Sequence, residues 1–189
     1  MAIMTIPKIY KENSILIADD EPEHLEWLVD FMSGQGFVVD VVTDVLEAVK
    51  AVELSRYRLY IVDLNIPLRG WPSAFPASST YDEYPGLHIG RVVRSQGNDG
   101  SRVIVYSAHF NDQITAEIKK LYCEYVVKGR PRELKGKVEE VLKKPDATAL
   151  DLARQKRKDL SKSQNPSVAN VKMKSTSSRN LNRLSGGKH

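Results

Sequence analysis

The sequence predicts a doubly wound α/β domain, a five-stranded parallel sheet with helices on both faces. Three observations carry this. Between residues 14 and 144, short β-branched runs alternate five times with helix-length amphipathic segments. Length and hydrophobic period agree in nearly every unit. The first and third runs both end in aspartate, Asp19-Asp20 and Asp63, as the carboxyl edge of a parallel sheet that holds a ligand would require.

The first strand reads SILIAD, residues 14–19. Leu25, Leu28, Val29 and Met32 then recur at i, i+3, i+4 and i+7, one buried stripe of a first helix that Gly34 and Gly36 stop. FVVDVV is the second strand. The helix after it runs from near Asp44 to Leu54 with Val45, Ala48, Val49 and Val52 inward. RLYIVD is the third strand. The third helix starts near Gly86 and turns Leu87, Ile89, Val92 and Val93 to the core. RVIVYS is the fourth strand, and Asn111 is a suitable N-cap for a fourth helix with Ile114, Ile118 and Leu121 on one face. EYVVK is a brief fifth strand, and after Pro131 a last helix buries Leu134, Val138, Val141 and Leu142.

Three segments flank or interrupt this pattern. Residues 1–13 form an N-terminal extension. Residues 68–85 interrupt the third β-to-α connection with Trp71, Phe75, Tyr81 and Tyr84 and with Pro72, Pro76 and Pro85. Residues 145–189 are rich in Ser, Asn and Lys. That composition predicts a basic, largely disordered tail, with a helical stub near residues 147–160. The tail carries ten Lys and Arg against three Asp, a net of +7, which leaves residues 1–144 at −3 of the total +4. The sequence pI of about 9.1 therefore belongs to the tail. No apolar run approaches the roughly 20 residues that span a bilayer, and no export signal is evident, so no membrane insertion is expected. Cys123 is the only cysteine, so no internal disulfide can form, and a cytoplasmic location fits.

The strand ends carry the chemistry. Asp19, Asp20 and Asp63 would repel one another unless a cation joined them, and oxygen donors suit a hard ion such as Mg²⁺. No His or Cys accompanies them at zinc-ligand spacing. The fourth strand ends in Ser107, a hydroxyl, and the fifth in Lys128, an ammonium. Any one of these alone reads as a turn former, a cap or a solvated charge. Together, in order, they form a site for moving a phosphoryl group onto a carboxylate nucleophile.

ILIADDEP, IVDLNIP, VIVYSA and YVVKG resemble the motifs of the response-regulator receiver family of two-component systems, over about residues 14–144. The resemblance implies the flavodoxin-like strand order 2-1-3-4-5. It implies that Asp63 is the phosphoacceptor and that Asp19 and Asp20 serve Mg²⁺, with the backbone carbonyl of Asn65 as a further ligand. Ser107 then contacts the phosphoryl oxygens, Lys128 pairs with them, and Tyr125 stands where the family has its switch aromatic. Asn65 and His109 occupy the positions that tune turnover. The implied function is a stand-alone signalling switch. It would take phosphate from a histidine kinase or phosphotransfer protein, hydrolyse it by itself, and present a changed surface to a downstream protein.

Two departures stand out. The family has Lys-Pro, often cis, where this chain has Lys128-Gly129. A cis bond costs about 2.5–4 kcal/mol before a residue other than proline, so a trans or differently shaped loop is expected. The family's glycine eight residues past the acceptor is best matched by Gly86, 23 residues past Asp63, so about 15 residues are added. This insertion is expected to pack over the rim of the site or to dock a partner. His24 and His88 are expected on helix surfaces, Cys123 as a small buried hydrophobe, and Trp27 and Phe31 as packing residues.

The competing function is a nucleic-acid or acidic-surface binder that acts through the basic tail and is regulated by the receiver. The tail lacks interleaved aromatics and any basic run denser than RQKRK, which disfavours it. A phosphatase on the same fold would need a second aspartate where Asp63-Leu64-Asn65 has none.

Overall fold

The computed structural model describes residues 9–70 and 79–144. Trp71, Pro72, Phe75 and Pro76 of the insertion, the first eight residues, the tail and its expected helical stub lie outside the described residues.

Five parallel strands form one sheet in the order β2-β1-β3-β4-β5. They are β1 (Ile9–Ala18), β2 (Val38–Val42), β3 (Ser55–Val62), β4 (Val103–Ser107) and β5 (Glu124–Val127). The helices are α1 (Glu26–Gly34), α2 (Val45–Leu54), α3 (Ser79–Glu83), α4 (Gly86–Ser95), α5 (Asp112–Leu121) and α6 (Pro131–Lys143). A 3₁₀ turn, Pro22–Leu25, leads into α1, and another, Gly100–Arg102, leads into β4. No helix among the described residues is long and apolar enough to cross a membrane.

The two-residue period of the strands sorts the core into two layers. Leu16, Ala18, Tyr60 and Val62 face α2 and α4, packing with Val45, Ala48, Val52, Ile89 and Val93. Ile15, Ile17, Leu59 and Ile61 face the other way, onto Leu28 and Met32 of α1 and Leu134, Val138 and Val141 of α6. The stripes read from the sequence are the buried ones, with Val29, Leu121 and Leu142 only half-buried at their edges. Asp44 and Asn111 cap α2 and α5, accepting from Glu47 N at 2.8 Å and Ile114 N at 2.8 Å.

Three features differ from the sequence expectation. β1 begins at Ile9, five residues before Ser14, so part of the N-terminal extension pairs with Ser55–Tyr57 across an irregularity between Lys11 and Ile15. Lys11 secures this stretch. Its ammonium lies 2.6 Å from Asp40 Oδ2, an oxygen that also accepts from the Tyr57 hydroxyl at 2.7 Å. Second, the insertion contributes α3, whose Tyr81, with the following Tyr84, is buried in a third cluster with Leu64, Leu87, Val105, Ile114 and Ile118. Third, His88 is buried, because Tyr81 covers that side of α4 with its ring edge-on at 5.1 Å. Burial, reinforced by the neighbouring Arg91 charge, pulls the His88 pKa below its ordinary value.

Gly86 starts α4 at a point where no side chain fits. A Cβ there would lie 1.9 Å from the carbonyl oxygen of Asp63 and 2.9 Å from Leu64 Cα, both backbone. The Gly86 N–H donates to Leu64 O at 3.0 Å, so the helix start is stitched to the chain beside Asp63. Gly86→Ala should therefore destabilise the fold by about 1–3 kcal/mol, as overpacking does. Urea denaturation of the variant against wild type measures this.

Candidate functional site

The site is built at the carboxyl edge of β1, β3, β4 and β5. Asp63 directly follows β3, and its N–H donates to Ala18 O at 2.8 Å, which locks it beside Asp19 at the end of β1. Asp19 N–H donates in turn to Val42 O at 3.1 Å. Both aspartates are buried, whereas Asp20 is exposed. One carboxylate oxygen from each of Asp19, Asp20 and Asp63 lies within 4.8 Å of the other two, the single such group of possible metal ligands among the described residues.

Lys128, directly after β5, reaches into this group. Its ammonium sits 2.9 Å from Asp63 Oδ2 and 3.0 Å from Asp19 Oδ2. Burial alone would lower the Lys128 pKa, but its hydrogen bonds to Asp63 and Asp19 outweigh that and hold it above the ordinary 10.5. Burial acts on Asp19 in the opposite sense, raising its pKa against the pull of Lys128 and of the Glu21 N–H, which donates to Oδ1 at 3.0 Å.

The Lys128-Gly129 departure acquires a local cause. Gly129 has φ of +86°, which proline, held near −65°, cannot adopt. The Gly129 N–H donates to the Tyr106 hydroxyl at 3.2 Å, a bond proline could not make. Lys128 N–H donates to Ser107 O at 3.0 Å. The lysine thus reaches both carboxylates from a turn built on a different backbone.

Ser107 is fully buried at the end of β4, and its Oγ lies 3.4 Å from His109 N, a long contact. Tyr125, half-buried on β5, brings its hydroxyl to 3.0 Å from both Ser107 O and His109 O. A single phenolic hydrogen satisfies one of these carbonyls at a time. Phe110 lies exposed beside the Tyr125 ring, at 5.3 Å between centroids. Asn65 is exposed two residues past Asp63, and its Nδ2 lies 3.2 Å from His109 Nδ1. This contact joins the loop after β3 to the loop after β4.

The sequence-predicted residues therefore converge on one edge. From the sequence, Tyr84 is only one aromatic of the insertion, Asn111 only a cap, and Tyr106 only a strand residue. Their contacts arise from a loop of unusual length and a glycine turn, for which a single sequence carries no periodic signal. Cys123 is half-buried with its thiol pushed up to about 12 by burial, as suits a packing residue. Trp27 and Phe31 pack against the α1 side of the core, and His24 lies exposed.

No known family profile matches the sequence, and no curated protein matches it either. Solved structures do match. The response regulator TrrA of Thermotoga maritima, in complex with Mg²⁺ and beryllofluoride, is 27% identical over 69% of this chain and 99% of its own, with a TM-score of 0.51. The receiver domain of a Pseudomonas aeruginosa sensor histidine kinase, with magnesium in its active-site cleft, is 20% identical over 69% of this chain and 98% of its own, at 0.51. A CheY-like receiver domain from Methanospirillum hungatei is 19% identical over 69% and 93%, at 0.54.

Removing the Lys128 charge leaves two buried carboxylates without it. In metal-free buffer at pH 7, Lys128→Met should cost about 2 kcal/mol, within the range for hydrogen bonds to charged groups. Because the folded-state pKa of Lys128 is raised, this contribution is complete below 10.5 and is lost as pH rises through the folded value. Denaturant titrations at neutral and strongly alkaline pH should show the gap between the two proteins closing.

Proposed function

We propose that this chain, which has the fold of the response-regulator receiver domains, is a phosphorylation switch that accepts a phosphoryl group on Asp63. The observation that carries the reading is the Asp63 carboxylate, buried at the end of β3, contacted by Lys128 at 2.9 Å and grouped with Asp19 and Asp20.

In the forward step a carboxylate oxygen of Asp63 attacks the phosphorus of a phosphohistidine on a kinase or phosphotransfer protein. The P–N bond breaks, and its electron pair leaves with the imidazole. Lys128, already held at this carboxylate, is placed to neutralise charge on the transferred group. Asp19, Asp20, Asp63 and the Asn65 carbonyl would hold Mg²⁺, and an all-oxygen donor set with two buried carboxylates fits that ion. Mg²⁺, when bound, supplies charge neutralisation between the carboxylates and the phosphoryl oxygens. The magnesium recorded in the Thermotoga and Pseudomonas structures supports this assignment.

The output follows from the contacts of Ser107 and Tyr125 with the loop after β4. Turning the Ser107 hydroxyl toward a phosphoryl group on Asp63 displaces the loop from Ala108 to Asn111. The Tyr125 hydroxyl lies 3.0 Å from the carbonyls of Ser107 and of His109 and holds one of them at a time, so moving the His109 carbonyl frees the ring to move and re-forms the surface of α5, β5 and α6. A downstream protein reads that surface. Water attack on the same phosphorus returns the switch to rest, so the chain is a signalling device with self-dephosphorylating activity.

Beryllofluoride binding in the presence of Mg²⁺ tests the reading. Wild type should bind the analogue, and Asp63→Asn should not. Asp20→Asn should weaken Mg²⁺ binding at least about tenfold, the lower end of what even an indirect metal contact is worth. A wild type that binds neither Mg²⁺ nor the analogue contradicts the proposal.

A further inference from the structure

Among its described residues, the insertion after β3 reaches the loop after β4 through Tyr84. The Tyr84 hydroxyl accepts from Asn111 Nδ2 at 3.1 Å and donates to Glu83 Oε1 at 2.8 Å. Asn111 is not free to turn away, because its Oδ1 caps α5 by accepting from Ile114 N at 2.8 Å. The Tyr84 ring lies tilted against the His109 imidazole at 5.9 Å, and His109 meets Asn65 on its Nδ1 side. Tyr84 itself is buried among Leu64, Leu87, Val105, Ile114 and Ile118, so its ring is held by the core. The result is a continuous path, Asn65–His109–Tyr84–Asn111, across the two loops that flank Asp63.

A second tyrosine fixes the insertion from the other side. Tyr81 donates to Glu117 Oε2 on α5 at 3.2 Å, packs on His88 of α4, and lies under the Arg91 guanidinium at 5.0 Å. The insertion segment 79–84 is therefore tied to both α4 and α5. His109 is exposed, and Asn65 and Tyr84 both meet its ring.

We propose that Tyr84 is a positioning residue by which the insertion sets the lifetime of the phosphoryl group on Asp63. It acts on His109, directly through its ring and indirectly through its bond to Asn111 in the loop that carries His109, and this rests on the phosphoacceptor reading above. In the step concerned, a water oxygen bonds to phosphorus, the bond from phosphorus to the Asp63 oxygen breaks, and its electron pair stays on the carboxylate. The water protons pass to solvent and phosphate. A His109–Asn65 pair held in register across the two loops narrows the approach of that water, and loss of the Tyr84 support widens it.

The experiment loads full-length protein with a small-molecule phosphodonor and Mg²⁺, removes the donor, and follows decay of the phosphorylated form. Wild type, Tyr84→Phe, Tyr84→Leu, His109→Ala and the Tyr84→Leu/His109→Ala double variant are compared, each with a urea midpoint as a measure of folding. Tyr84→Leu should speed decay about fivefold and Tyr84→Phe, which keeps the ring and loses the Asn111 bond, about twofold, as contacts near 1 kcal/mol allow. The double variant should decay at the rate of His109→Ala, because Tyr84 acts through that ring. Phosphorylation with wild-type decay in both Tyr84 variants overturns this proposal alone, as do single effects that multiply in the double variant. Absence of uptake by wild type overturns it together with the phosphoacceptor reading.

Discussion

Asp19 and Asp63 are carried to adjacent strand ends and buried there, where two like charges repel strongly and water no longer screens them. Lys128 lies within 3.0 Å of both and offsets that repulsion. Much of the carboxyl edge is organised around this triplet. The Gly129 turn delivers the lysine, the Asp63 N–H bond to Ala18 sets the spacing of the acids, and bare Gly86 leaves room for the Asp63 backbone. A cation held so close to carboxylates is also suited to follow negative charge that is added to one of them. The same contact thus links stability to the proposed chemistry.

Around that centre the chain places a second set of contacts that belong to loops. Tyr125 meets the loop after β4 from the β5 side, and Tyr84 meets its far end from the insertion. The insertion is thereby part of the packed structure at residues 79–84, where its tyrosines join a core cluster. Added chain that buries aromatic surface offsets its own ordering entropy, which a purely polar loop of the same length would not do.

The fold was legible because its signal is periodic. Leu25, Leu28 and Met32 along the 3₁₀ turn and α1, the four inward residues of α2, and the alternating faces of β1 and β3 each follow from spacing alone, and all of them are core. The position of the acids and the lysine was legible because strand ends converge in a parallel sheet, so strand order alone brings Asp19, Asp63, Ser107 and Lys128 to one edge. What spacing did not carry was contact between loops. His88 reads as a surface residue until Tyr81, seven residues earlier, is known to cover it. Likewise Lys128-Gly129 reads only as a loop of different shape until the left-handed glycine and its bond to Tyr106 are seen. The early start of β1 depends on a Lys11–Asp40–Tyr57 contact between three strands, invisible in any local window.

As proposed, one carboxylate, Asp63, becomes an acyl phosphate. Reducing the phosphorylated protein with borohydride converts an aspartyl phosphate to homoserine, which peptide mass spectrometry locates to a single residue. Homoserine is expected at position 63 and at neither Asp19 nor Asp20, dependent on both phosphodonor and Mg²⁺. Label at another residue, or none under conditions where the chain is folded, would contradict it.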